Sequence, residues 1–218
     1  MTFNFKNFLE QEMKKTYFKN LTSLLVTRPN PKDILPPRNK VFAAYENFDF
    51  DNLKVILIGQ DPYPTKGVAD GLCFSSLEAK TPASLLNIFS EIQSSYPDVV
   101  FNSNCLQTWK DQGVLLMNKI LTVDAWKPLS HKKFGWEIFN HNLLEELNNE
   151  YENIIYLLLG NEAKNFVLDL DLSAQHILAT SHPSPLGCHK GFKGSKIFEK
   201  VNTKLKEIGK KEINWSTN

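Results

Sequence analysis

Cysteine is scarce in this chain. Cys73, Cys105 and Cys188 are odd in number and far apart, and no Cys-x-x-Cys pair occurs. That argues against a disulfide framework or a zinc ribbon and suits a reducing compartment. Long apolar runs are missing as well: the longest, residues 154–159, is far too short to span a bilayer. The opening residues carry charges where a signal peptide needs an apolar stretch. Nor is there an excess of one charge. With 25 basic and 24 acidic residues the net charge is +1, so a nucleic-acid partner would have to be met by locally concentrated positive charge. No repeat, low-complexity tract or linker divides the 218 residues, of which 42% are hydrophobic and 22% charged. The expectation is one domain spanning residues 1–218, soluble, cytoplasmic and without a membrane segment.

What is present alternates between two periods. Residues 54–58, 114–117, 154–159 and 176–180 are short apolar runs, and Gly59 and Gly160 close two of them. Such runs predict strands buried on both faces of a parallel sheet. Helical spacing links Leu85, Leu86, Ile88, Phe89 and Ile92, with Thr81-Pro82 as a start signal. The same spacing links Trp136, Phe139, Leu143, Leu144 and Leu147, and again Ile197, Phe198, Val201, Leu205 and Ile208, with Gly209 as the stop. The alternation predicts an α/β fold: a single domain with a central four-stranded parallel sheet flanked by helices on both faces. Residues up to about 20 read as one added helix that buries Phe3, Phe5, Phe8 and Leu9. Residues 28–38, with four prolines, read as a loop.

Ligands of an open parallel sheet bind outside the carboxyl ends of its strands. Gln60-Asp61-Pro62-Tyr63, Asn118, Gly160-Asn161 and Ser181-His182-Pro183-Ser184 follow the four runs. An acid, an amide, an imidazole and an aromatic ring should therefore meet in one crevice. Each has a plainer reading: Asp61 as a turn former, Asn118 as a strand-end cap, His182 as a structural histidine, Tyr63 and Phe74 as core. Their joint placement favours the site. Residues 190–211 add eight lysines against two glutamates, a net +6. Most of these should line a solvated helix face, but Lys190 and Lys193 precede the helix and suit phosphate contact.

The motifs Gly59-Gln60-Asp61-Pro62-Tyr63, Gly71-Leu72-Cys73-Phe74-Ser75, Gly113-Val114-Leu115-Leu116-Met117-Asn118 and His182-Pro183-Ser184-Pro185-Leu186 together resemble the signature of the family-1 uracil-DNA glycosylases. Leu121-Thr122-Val123, Ser130-His131 and Gly135-Trp136-Glu137 match that family too. The resemblance implies hydrolysis of the bond between uracil and deoxyribose in single- or double-stranded DNA, leaving an abasic site for base excision repair. It implies a flipped base, no metal and no cofactor. It also implies a monomer that a protein inhibitor can block. Asp61 would orient water and steady the cationic sugar, and His182 would donate a hydrogen bond to uracil O2. Asn118 would read N3–H and O4, Phe74 would stack on the base, Tyr63 would face C5, and Gln60 would offer main-chain contacts. Ser84 and Ser184 would hold phosphates, and Leu186 would fill the space left by the flipped nucleotide.

Three positions depart from the family pattern. Pro64 stands where histidine is usual, Asn161 where serine is usual, and Gly187 where serine is common. The last is expected to loosen the wedge loop. Two other functions compete: a glycosylase-like DNA-binding accessory module with little activity, and a serine hydrolase using Ser181 or Ser184. No Gly-x-Ser-x-Gly elbow surrounds either serine, which weighs against the second.

Overall fold

A computed structural model describes residues 2–218. In chain order the helices are α1 (Phe5–Glu12), α2 (Thr16–Val26), α3 (Ala83–Ser95), α4 (Gln107–Lys110), α5 (Trp136–Glu150), α6 (Asn161–Phe166) and α7 (Ile197–Glu207). The strands are β1 (Ile34–Leu35), β2 (Val55–Gly59), β3 (Val114–Asn118), β4 (Val123–Asp124), β5 (Ile155–Leu159) and β6 (His176–Thr180). Four of them form the predicted parallel sheet in the order β3-β2-β5-β6. The chain moves from β2 to β3 in one direction and from β3 back past β2 to β5 in the other. Right-handed crossovers then put the helices between them on opposite faces. The buried rings follow suit. Phe8 of α1 and Phe139 of α5 pack 5.3 Å apart, with Phe18 and Trp136 around them. A separate cluster joins Phe89 of α3, Trp109 of α4, Phe198 of α7 and Trp215.

β2, β3 and β5 are buried along their whole length, as their unbroken apolar runs require. β6 is not. It is an edge strand, α7 packs against it, and Ile177 is 53% exposed. The expectation of burial on both faces is corrected there: one apolar run can serve an edge strand covered on a single side. The N-terminal region forms two helices instead of one, broken at residues 13–15, with Phe8 buried and Phe3, Phe5 and Leu9 partly so. The proline-rich stretch also holds a strand. β1 pairs antiparallel with β4, Leu35 opposite Val123, and two-residue strands carry no periodicity to read.

Register places the site. Gly59 pairs with Asn118 and Leu159 with Thr180, so the four strands end level. The ladder runs one step further: the Lys119 and Ile120 N–H groups donate to the Gly59 and Gln60 carbonyls at 2.9 and 3.1 Å. The carboxyl end of β2 thus lies where the strand order reverses, the position at which such sheets bind ligands.

Candidate active site

A pocket of about 190 Å³ opens at these strand ends. Gln60, Asp61, Tyr63, Phe74, Ser84, Asn118 and His182 line it, so seven of the eleven residues singled out in the sequence meet around one cavity. Of the other four, Ser184 touches His182, Leu186 caps the next turn, and Lys190 and Lys193 lie on the surface beyond it.

Asp61 leaves β2 and is fixed by two donors. The Leu129 main-chain N–H donates to one carboxylate oxygen at 2.7 Å, and the Gln60 amide reaches the other at 3.4 Å. Burial pushes its pKa up; the Leu129 N–H, the Gln60 amide and the Lys119 ammonium push the other way. Both oxygens accept, which suits an ionised carboxylate.

His182 is held in one tautomer. The Ser184 N–H donates to Nδ1 at 3.1 Å, which leaves Nε2 as the N–H side of the neutral ring. Protonating Nδ1 would set two N–H groups against each other, and burial independently lowers the pKa. The loop around it is tied down. Asn87 of α3 donates to the Pro183 carbonyl at 2.7 Å, and the Ser181 hydroxyl donates to the Gly187 carbonyl at 2.9 Å. The looseness expected from Gly187 is not found. A Cβ there would lie 2.6 Å from the His182 carbonyl oxygen, and its N–H donates to the Ser184 carbonyl at 2.9 Å. The glycine permits a close turn. At its outer end Leu186 is 88% exposed.

Asn118 ends β3 with a buried side chain whose amide has no hydrogen-bond partner among the described residues. It lies over Gly59, where a Cβ would come within 2.3 Å of the Asn118 Oδ1. A glycine at the end of β2 is therefore what lets this amide face the cavity. An amide that lines an open pocket without a protein partner is available to a ligand. Tyr63 donates from its hydroxyl to the Phe74 carbonyl at 3.2 Å, which locks the two aromatic walls together. Burial keeps that phenol neutral. The Phe74 ring lies 5.8 Å from the His182 ring.

The departures have places too. The Pro64 carbonyl accepts from the Trp126 N–H at 2.7 Å, and Asn161 opens α6 with an exposed side chain. In the basic segment Lys196, Lys204 and Lys206 pair with Glu199, Glu207 and Glu212, and Lys210 bonds the Leu53 and Asn153 carbonyls. Lys190 and Lys193 have no side-chain partner among the described residues.

Sequence reasoning missed three contributors. Leu129 acts through its backbone at a φ of +61°, which no side chain announces. Lys119 pairs with Glu162 at the start of α6, behind Asp61. Asn140 sits fully buried on the apolar face of α5. It accepts from the Tyr45 hydroxyl at 2.6 Å and donates to the Asn118 and Lys119 carbonyls at 2.9 and 3.0 Å. A polar residue amid Trp136, Phe139 and Leu143 was a readable signal, since buried amides are bonded to something that matters.

Two aromatic walls, an amide with a donor and an acceptor edge, and an acid beside a neutral imidazole make a pocket for a flat heterocycle. The fold and site are those of an α/β enzyme acting on such a ring. The pattern described as the "Uracil DNA glycosylase superfamily" matches residues 46–206, and the chain belongs to that family. It is 42% identical to the uracil-DNA glycosylase of Mycoplasmopsis pulmonis over 97% of this chain and 96% of that one. With the enzyme of Fusobacterium nucleatum it shares 39% over 97% and 94%. The crystal structure of mimivirus uracil-DNA glycosylase superposes with a TM-score of 0.89 at 26% identity, covering 97% of this chain and 85% of that one. A variant of the mimivirus enzyme in complex with UGI superposes at 0.88, with 27% identity and coverage of 97% and 87%. Among the described residues no helix is long and apolar enough to cross a membrane.

Proposed function

We propose that this chain excises uracil from DNA, with Asp61 and His182 as its catalytic residues and residues 1–218 acting as one cytoplasmic, monomeric unit. The observation that carries the assignment of roles is the convergence of Asp61, Asn118 and a singly bonded, neutral His182 on one cavity. As the glycosidic bond lengthens, positive charge grows on the sugar and negative charge on the base. The Asp61 carboxylate steadies the first and orients the attacking water. The His182 Nε2–H donates to O2 of the leaving base and steadies the second. Uracil leaves as the anion with the bonding electrons and takes a proton from solvent; water adds at C1′ and gives up its proton to the Asp61 carboxylate, which passes it to solvent. Asn118 offers an oxygen to N3–H and an amide N–H to O4, while Phe74 covers the ring and Gln60 contributes at its edge. Ser84, Ser184, Lys190 and Lys193 hold phosphates on either side. The mouth that admits DNA is also the surface a protein inhibitor would cover.

A DNA-binding module without activity would call for a displaced acid or a filled pocket; Asp61 lines an open one. The test is incubation of the purified protein with an end-labelled uracil-containing oligonucleotide in EDTA, then alkali. Strand cleavage at the uracil position is expected. An intact strand, or release that needs an added divalent ion, overturns the proposal.

Leu186 adds a second expectation. An exposed apolar side chain on a stiff turn can occupy the gap left in a duplex, and less stacking must be broken in a single strand. Leu186→Ala should therefore lower kcat/KM on duplex substrate more than on single-stranded substrate. Equal losses on both would remove the wedge.

A further inference from the structure

The loop that reaches Asp61 carries one feature the proposed reaction leaves unused. Of the four tryptophans, Trp109, Trp136 and Trp215 are buried to 2% exposure or less, whereas Trp126 is 65% exposed. Its indole has neither a hydrogen bond nor a ring contact among the described residues. Its backbone is nonetheless anchored. The main-chain N–H of Trp126 donates to the carbonyl of Pro64, which lines the pocket, and three residues on the Leu129 N–H holds Asp61. The base of the loop is anchored as well. Asp124 receives Arg28 and His131, and the His131 pKa is pushed down to about 4 by burial and by the Arg28 charge. Trp126 also keeps a φ of +66°, a conformation that bulky residues adopt only when their surroundings impose it. Next to it Lys127 is exposed and forms no ion pair among the described residues, although its charge helps to lower the Asp33 pKa.

A solvent-facing indole on an anchored backbone, with an exposed cation beside it, at the rim of a pocket for one base, matches the combination that binds single-stranded nucleic acid: a π-face for a base and a charge for the backbone. We propose that Trp126 is a stacking platform for an unpaired nucleobase neighbouring the uracil, with Lys127 meeting the adjoining phosphate. The proposal rests on the uracil-excision reading and extends it to single-stranded substrate. In a duplex the neighbouring bases are already stacked on their own strand, so the platform serves strands that are not paired.

Because the other three tryptophans are buried, Trp126 is also the reporter. The full chain is titrated with a single-stranded oligothymidylate, which contains no uracil and stays intact, while tryptophan emission is followed. Quenching of the red-shifted, exposed component is expected in the wild type and should vanish in Trp126→Phe. Trp126→Ala should raise KM on single-stranded uracil substrate roughly tenfold, the scale of one lost base–aromatic stack, with kcat and duplex KM little changed. Trp126→Phe, which keeps a π-face, should restore most of that KM. Quenching of equal size in Trp126→Phe, or an unchanged single-strand KM in Trp126→Ala, overturns the platform. A wild-type protein that releases no uracil would instead overturn the reading beneath it, and the fluorescence arm, which needs no turnover, separates the two.

Discussion

Asp61→Asn should lower the single-turnover rate of uracil release by about 10² to 10³, with substrate binding nearly intact. The scale is that of deleting one preorganised group that meets transition-state charge, ~3–4 kcal/mol. The substitution is close to isosteric. The Leu129 N–H can still donate to the amide oxygen, so the loop should stay in place while the negative charge is lost. His182→Leu should cost a similar factor by removing the donor to O2. It also leaves the Ser184 N–H without its acceptor, so thermal unfolding should be followed beside the rate to separate lost chemistry from a loosened loop. In the wild type the rate should fall on the acid side. The Asp61 pKa is raised by burial, so its carboxylate takes a proton earlier than an exposed one would. His182, its pKa lowered, resists protonation until more acid pH. Single-turnover rates near wild type for either variant would refute the role assigned to that residue.

Tyr63→Ala should create an activity that the wild type lacks: measurable release of thymine from DNA, with some uracil release retained. Uracil and thymine share the edge that Asn118 would read and differ only in the C5 methyl. A pocket that merely lacked contacts for a methyl would separate them weakly, by roughly 1–3 kcal/mol. Stronger rejection needs a wall that does not move. Tyr63 has that property because it is partly buried and its hydroxyl is bonded to the Phe74 carbonyl, the residue that would form the adjacent wall. Alanine removes the ring and the bond together. Matched strands carrying uracil or thymine at one position, treated with alkali after incubation, give the readout. A variant that still ignores thymine while releasing uracil would put the wall elsewhere in the pocket.

The fold was readable where one physical cause dominated. β2, β3 and β5 are buried on both faces, so their apolar runs are unbroken and short, and α3, α5 and α7 show their buried stripes plainly. Failures came where the cause was tertiary. Nothing local marks the break between α1 and α2, and β1 and β4 exist only because they pair with each other. β6 looked like its neighbours because a run of five residues does not say how many sheets of helices cover it. The pocket was legible because its side chains follow the strand ends, and level strand ends bring them together. What escaped was the support. A backbone N–H from Leu129 has no residue type, and the Gly187 turn reads as freedom until the His182 carbonyl is seen against it.

The order of strands also governs how the protein can be made. β2 is synthesised before the other three members of the main sheet yet ends between two of them, β3 and β5. Until residue 159 has left the ribosome, the apolar segment Val55–Gly59 lacks its full complement of neighbours, and an exposed strand of that kind invites association with other chains. His182 and Leu186 emerge later still. A nascent chain halted after Asn118 but before His182 holds Asp61 and Asn118 but neither the imidazole nor the exposed Leu186. On the proposed reading, uracil release therefore waits on the segment that carries His182, which is made after every strand of the main sheet.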